Sequence, residues 1–159
     1  MIVWAPTADD LEHGLEVLSG TIAECARLHL SITKPVLRKL VREQLDDLLV
    51  EDRLFSAVLG YTLRSGQLDA FASSSASDRP FRVLIHHSHK ARFDEALRAA
   101  RQLLRRHESL NVPMLEKAIF GKRSYNTWSS TSHVLGRLAY LGFATLDEEG
   151  ICHLVSDLS

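Results

Sequence analysis

Between Lys122 and Arg137 the chain collects side chains suited to holding phosphates and base edges. Lys122 and Arg123 bring positive charge. Tyr125, Asn126, Ser130, Ser132 and His133 can donate or accept hydrogen bonds. Arg137 can fork onto guanine or a phosphate. Signatures of catalysis are missing from the sequence: there is no GxxxxGKS/T phosphate loop, GxSxG elbow, GxGxxG or HExxH. The acidic pairs Asp9-Asp10, Asp46-Asp47 and Glu51-Asp52 fall on expected helices. Neighbours on a helix diverge by about 100°, so these pairs make poor acid/base couples and read as solvated surface. A binding protein with no catalytic residue and no cofactor is the reading that follows.

Histidines and cysteines offer a second chemistry. His86, His87 and His89 could join Cys152 and His153 around a zinc ion. However, His86 and His87 are expected on opposite sides of a strand, and no CxxC or HxxxH spacing supports them. These residues read as the polar end of a strand, with no metal site. Cys25 and Cys152 are far apart in sequence and read as reduced thiols.

The elements that carry the binding residues come from the last third of the chain. Asn111 to Phe120 has the apolar spacing of a short helix, with Val112, Leu115, Ala118 and Ile119. GKRSYNTW is a polar turn. SSTSHVLGRLAYLGF is a longer amphipathic helix ending at Gly142, with Val134, Leu135, Leu138 and Leu141 inward and Ser130, Ser132, His133 and Arg137 outward. ATLDEEGICHLV reads as two short strands around Asp147-Glu148-Glu149-Gly150. A helix over Lys90–His107 precedes them, behind the strand FRVLIHH.

This order, with TSHVLGRLAYLGFAT as second helix and first wing strand, resembles the winged helix-turn-helix superfamily over the last third to half of the chain. In that pattern a Ser/Thr cluster opens the helix and leucines recur three and four apart. A glycine then closes the helix ahead of an apolar residue. Here Leu138 lies four before Gly142, and Phe143 follows. The resemblance implies a DNA-binding protein of regulatory or mobile-element type, reading double-stranded DNA with the second helix. The alternative it allows is a structural or adaptor subunit whose winged helix binds protein. The acidic wing tip departs from the DNA-contacting pattern, because phosphates repel carboxylates.

Charge is uneven along the chain. Net charge is -1, yet Arg79 to Arg137 holds 12 Lys/Arg against 4 Asp/Glu. One basic face on a neutral protein is expected. No apolar run is long enough to span a membrane, and the first residues lack the pattern of a signal peptide. A cytoplasmic protein is expected.

The N-terminal half reads as amphipathic helices over most of Leu11 to Arg64, after a short strand at Ile2–Trp4. Val36, Leu37, Leu40, Val41, Leu45, Leu48 and Leu49 form a broad stripe that predicts a homodimer or a docked protein partner. GQLDAFASSSASDRP reads as a linker. No internal repeat is read. The expected fold is mainly α. It comprises a helical module over 1–66, a linker over 67–80 and a winged-helix domain over 81–159 ending in a small β-hairpin.

Overall fold

The computed structural model describes residues 8–45, 51–76, 79–121 and 125–155. The fold is mainly helical with two small antiparallel sheets. In chain order the elements are α1 (Ala8–Arg27), β1 (Ile32–Thr33), α2 (Lys34–Arg42), α3 (Asp52–Arg64), β2 (Leu68–Ser74) and β3 (Pro80–His86). They continue as α4 (Lys90–His107), β4 (Ser109–Leu110), α5 (Val112–Phe120), α6 (Tyr125–Tyr140), β5 (Ala144–Leu146) and β6 (Cys152–Leu154). Among the described residues no helix is long and apolar enough to cross a membrane. The expected strand at Ile2–Trp4 lies outside the described residues, as do Leu48 and Leu49.

Written this way, the order helix, strand, helix, helix, strand, strand occurs twice. The strand order repeats too, β1-β3-β2 in the first unit and β4-β6-β5 in the second. The absence of a repeat, expected from sequence, is therefore corrected by the topology. Its residues align once the topology is known. α2 and α5 each run nine residues and carry a proline in the first turn. Ile32-Thr33-Lys34-Pro35-Val36-Leu37 faces Leu110-Asn111-Val112-Pro113-Met114-Leu115 in this comparison, with Leu37 and Leu115 both fully buried. Ser56-Ala57-Val58-Leu59-Gly60 in α3 matches Ser132-His133-Val134-Leu135-Gly136 in α6. Gly66 and Gly142 then close the two helices at φ of 83° and 85°, a backbone region open to glycine at little cost.

A strand runs where a linker was expected. LDAFASS has little β-branched content, so its propensity is weak. It is β2 nonetheless, because it pairs along its whole length with β3, from Leu68 opposite His86 to Ser74 opposite Pro80. The alternation of side chains splits this sheet between two cores. Leu68 and Leu84 pack among α1, α2 and α3, with Leu18, Ile22, Leu37 and Phe55. Phe71 and Ile85 turn the other way, toward Phe93, Ala96, Val134 and Leu138 of α4 and α6. The first sheet thus lies between the helices of its own unit and two helices of the next.

The α2 stripe is used inside the chain. Leu37 and Val41 are buried, and Leu40 and Leu45 pack against the same core. Of its described leucines and valines only Val36 remains well exposed. This corrects the stripe as a source of free dimerisation surface.

Candidate functional site

In α6, the helix expected to read DNA, two of the expected readers are covered. Ser130 and His133 are buried, at 1% and 6% exposure, which corrects their expected outward orientation. The physical reason is a polar seam that leucine spacing cannot reveal. The Ser31 backbone N–H donates to Ser130 Oγ at 3.1 Å, and Ser130 Oγ donates back to the Ser31 carbonyl at 3.2 Å. The Ser31 hydroxyl lies 2.7 Å from His133 Nδ1. Burial pushes the His133 imidazole down to about 4 from 6.5, so the ring is neutral at pH 7.

On the adjoining face β2 lies against α6. The Ser73 hydroxyl donates to the His133 carbonyl at 3.2 Å. Arg137 is half-buried, donates from Nη1 to the Ala72 carbonyl at 2.8 Å, and lies over the Phe71 and Tyr140 rings. Phe71 meets Phe93 of α4 with ring centroids 4.7 Å apart. Lys90 Nζ stands 3.7 Å from the Asp69 carboxylate at the rim. The approach depends on Gly136. A Cβ there would overlap the Ser73 hydroxyl and lie 2.5 Å from the Ser74 carbonyl oxygen.

Of the other expected contacts, Ser132 is exposed. Tyr125 and Asn126 fall in the first turn of α6, but their side chains lie outside the described residues, as do Lys122 and Arg123 entirely. The binding set expected from sequence is therefore not brought together on one open face by the residues described.

The Asp147–Gly150 turn between β5 and β6 is built rather than free. Asp147 Oδ1 accepts from the backbone N–H groups of Glu149 and Ile151, both at 2.9 Å, and Oδ2 lies 2.8 Å from His153 Nε2. The hydrogen bond from His153, followed by those from the backbone, holds the Asp147 carboxyl below the usual carboxylate range. Asp147 thus shapes the hairpin, while Glu148 and Glu149 face solvent.

Histidines 86, 87 and 89 gather at the start of α4. The strand ends at His86 and a 3-10 turn over His87–His89 follows. The turn brings the His86 and His87 rings to 4.4 Å, correcting their expected separation across a strand. His89 Nε2 bonds the Arg27 carbonyl at 2.6 Å. Among the described residues no group of three or more His, Cys, Asp or Glu is arranged to hold a metal ion. Cys25 and Cys152 are buried free thiols, and burial pushes Cys152 up to about 12.

Among the open surfaces of the described residues, two stand out. One is a row of exposed arginines on α4, namely Arg98, Arg105 and Arg106, beside Arg101 stacked on Phe143 at 3.8 Å. The other is a groove of about 700 Å³ between α1 and α3, lined by Leu15, Leu54, Ala57 and Tyr61 with Glu12 and Glu16 at its rim. Leu15 is 41% and Tyr61 58% exposed. Sequence reading missed this groove. The repeated S-x-V-L-G-x5-G spacing of α3 and α6 is the signal that leads to it. Comparison with protein-family models, curated proteins and solved structures finds no match for this chain.

Proposed function

We propose that the chain is a tandem winged-helix protein that works without catalysis as a docking or adaptor subunit, binding protein through its helix faces. The observation that carries this reading is the contact between α6 and β2. Part of the surface that would enter a major groove, from His133 to Arg137, packs on a polypeptide strand, with Gly136 shaped for that approach and Arg137 bonded to a main-chain carbonyl. A recognition helix needs an open N-terminal half to meet base edges. Burial of Ser130 and His133 removes two of its readers. The acidic wing tip, held in shape by Asp147, points the same way.

Purification of the native protein with and without nuclease tests this reading. A stoichiometric protein partner retained after nuclease is the expected result. Nucleic acid as the sole companion, removed by nuclease, overturns it.

Duplex DNA binding of regulatory type is the second reading, favoured by the exposed Arg98, Arg105 and Arg106 on α4. Contacts by such a row go to phosphates and give weak sequence preference. On this reading, R105A/R106A lowers affinity for every duplex alike. It also reduces the dependence of log affinity on log salt by about one for each phosphate that is no longer neutralised. Titrations of labelled duplex at two salt concentrations measure both.

A further inference from the structure

The two units present related grooves: in the second unit β2 forms one wall and about 430 Å³ stays open beside Phe71, Phe93 and Arg137, whereas among the described residues the first unit has no such strand and its groove measures about 700 Å³. In the second unit, α4 and α6 hold strand β2 through Phe93, Gly136 and Arg137, with Lys90 at the rim opposite Asp69. The buried faces of α1 and α4 correspond as Leu18 with Ala96, Ile22 with Ala100 and Ala26 with Leu104. Carried one turn back, this pairs Leu15 with Phe93 and Glu12 with Lys90. In the third helices Gly60 pairs with Gly136 and Tyr61 with Arg137. All four first-unit residues lie at or beside the open groove. Its floor is already closed by the Ser19 and Thr62 hydroxyls, 3.1 Å apart.

From this correspondence, and resting on the protein-docking reading above, we infer that the α1/α3 groove is the binding site for a β-strand of a partner protein. The strand carries an apolar side chain flanked by a lysine or arginine. Leu15 and Ala57 receive the apolar side chain, as Phe93 receives Phe71. Gly60 admits the strand backbone, and only the flexible end of Arg64 lies near a Cβ built there, at 3.4 Å. Tyr61 offers a hydroxyl donor where Arg137 offers a guanidinium. The rim turns acidic, from Lys90 with Asp94 in the second unit to Glu12 with Glu16 in the first. The occupant is therefore basic where β2 carries Asp69. A strand from a second copy fits poorly: the hairpin that repeats β2–β3 carries Asp147, Glu148 and Glu149, which Glu12 and Glu16 repel.

The test uses the full-length chain and a cyclised hairpin peptide of residues 67–87, in its own sequence and with Asp69→Lys. Binding is followed by fluorescence anisotropy of the labelled peptide. The lysine peptide is expected to bind at least about tenfold more tightly than the native-sequence peptide, each 1.4 kcal/mol being tenfold. A57R or Y61E, on exposed positions, is expected to abolish that binding while Tm is retained, and K117E, on the exposed face of α5, is expected to leave it unchanged. Failure of both peptides to bind, or binding indifferent to A57R and Y61E, overturns the inference. So does self-association of the chain abolished by A57R, which would make a second copy the occupant. The native purification separates the two levels. A protein partner retained by A57R removes this site but leaves the docking reading standing; nucleic acid as the sole companion removes the reading itself.

Discussion

Units one and two close their third helices on the same glycine spacing, yet the two helices live in different surroundings. α6 is covered by a strand from the other unit, whereas among the described residues no strand covers the equivalent face of α3. The substitutions along that face follow the difference. Where α6 meets protein, it carries His133 and Arg137, polar groups with fixed partners. Where α3 meets water, it carries Ala57 and Tyr61. The sheets differ in the same sense. The first is covered on both faces, while the second packs Ala144 and Cys152 inward and leaves Thr145 and His153 exposed. A repeated architecture thus needs only a few changed side chains to convert an internal joint into an outward surface.

The largest test of this contrast compares Phe93 with Leu15. Phe93 is 3% exposed and stacks on Phe71, so F93A is expected to cost about 3–5 kcal/mol. Leu15 at the matching position is 41% exposed, so L15A should stay within about 0.5 kcal/mol. Urea denaturation of both variants measures the gap. Similar losses would mean that the α1/α3 groove is as fully packed as its counterpart.

The two helix glycines sharpen the comparison at a finer scale. In G136A the new methyl meets the Ser73 hydroxyl and the Ser74 carbonyl, so α6 and β2 must separate. Overpacking of this kind costs about 1–3 kcal/mol. In G60A the nearest atom is Arg64 Nη1 at 3.4 Å, which can swing away. There the alanine should stabilise the helix by about 0.5–1 kcal/mol, since glycine is the poorer helix former. Thermal midpoints moving in opposite directions are the expected outcome. Equal destabilisation would show that Gly60 is already under close contact.

Much of this contrast could not be read from the chain. The bounds of α4 and α5 were legible, because the apolar spacing over Lys90–His107 and over Val112, Leu115, Ala118 and Ile119 is regular. α6 begins at Tyr125, earlier than the Ser129 start that the Ser/Thr cluster suggests; Ser and Thr favour caps, but tertiary packing overrides that weak preference and carries the helix through them. β2 was illegible because LDAFASS owes its conformation to pairing and to cover from α6, both long-range effects. Ser130 and His133 looked outward because their partners, Ser31 and Ser73, come from distant sequence. The open groove was hidden for a related reason. Leu15, Ala57 and Tyr61 look like ordinary helix residues until the matching face of the second unit shows what such a groove can hold.

The smallest expected effect tests the buried histidine that only the covered helix carries. His133 is held at about 4 by burial, against 6.5 in an unfolded chain. As pH falls through 6.5 the unfolded chain takes up a proton on this ring, while the folded chain does not until near pH 4. Stability therefore falls across that window as pH falls. The loss between pH 7 and pH 5 is on the order of 1–2 kcal/mol. Ala57, its counterpart in α3, contributes nothing of the kind. H133N keeps a short polar group within reach of the Ser31 hydroxyl and removes the titration. The variant should lose little at pH 7 and show a flatter decline toward pH 5. Asp147 contributes outside this window: its lowered carboxyl pKa keeps its bonds to His153 and the β5–β6 turn until more acid conditions. Urea midpoints for both proteins at pH 7, 6 and 5 decide the matter. Parallel declines would show that the joint between the units is open enough to hydrate His133, and the distinction between a covered α6 and an open α3 would go with it.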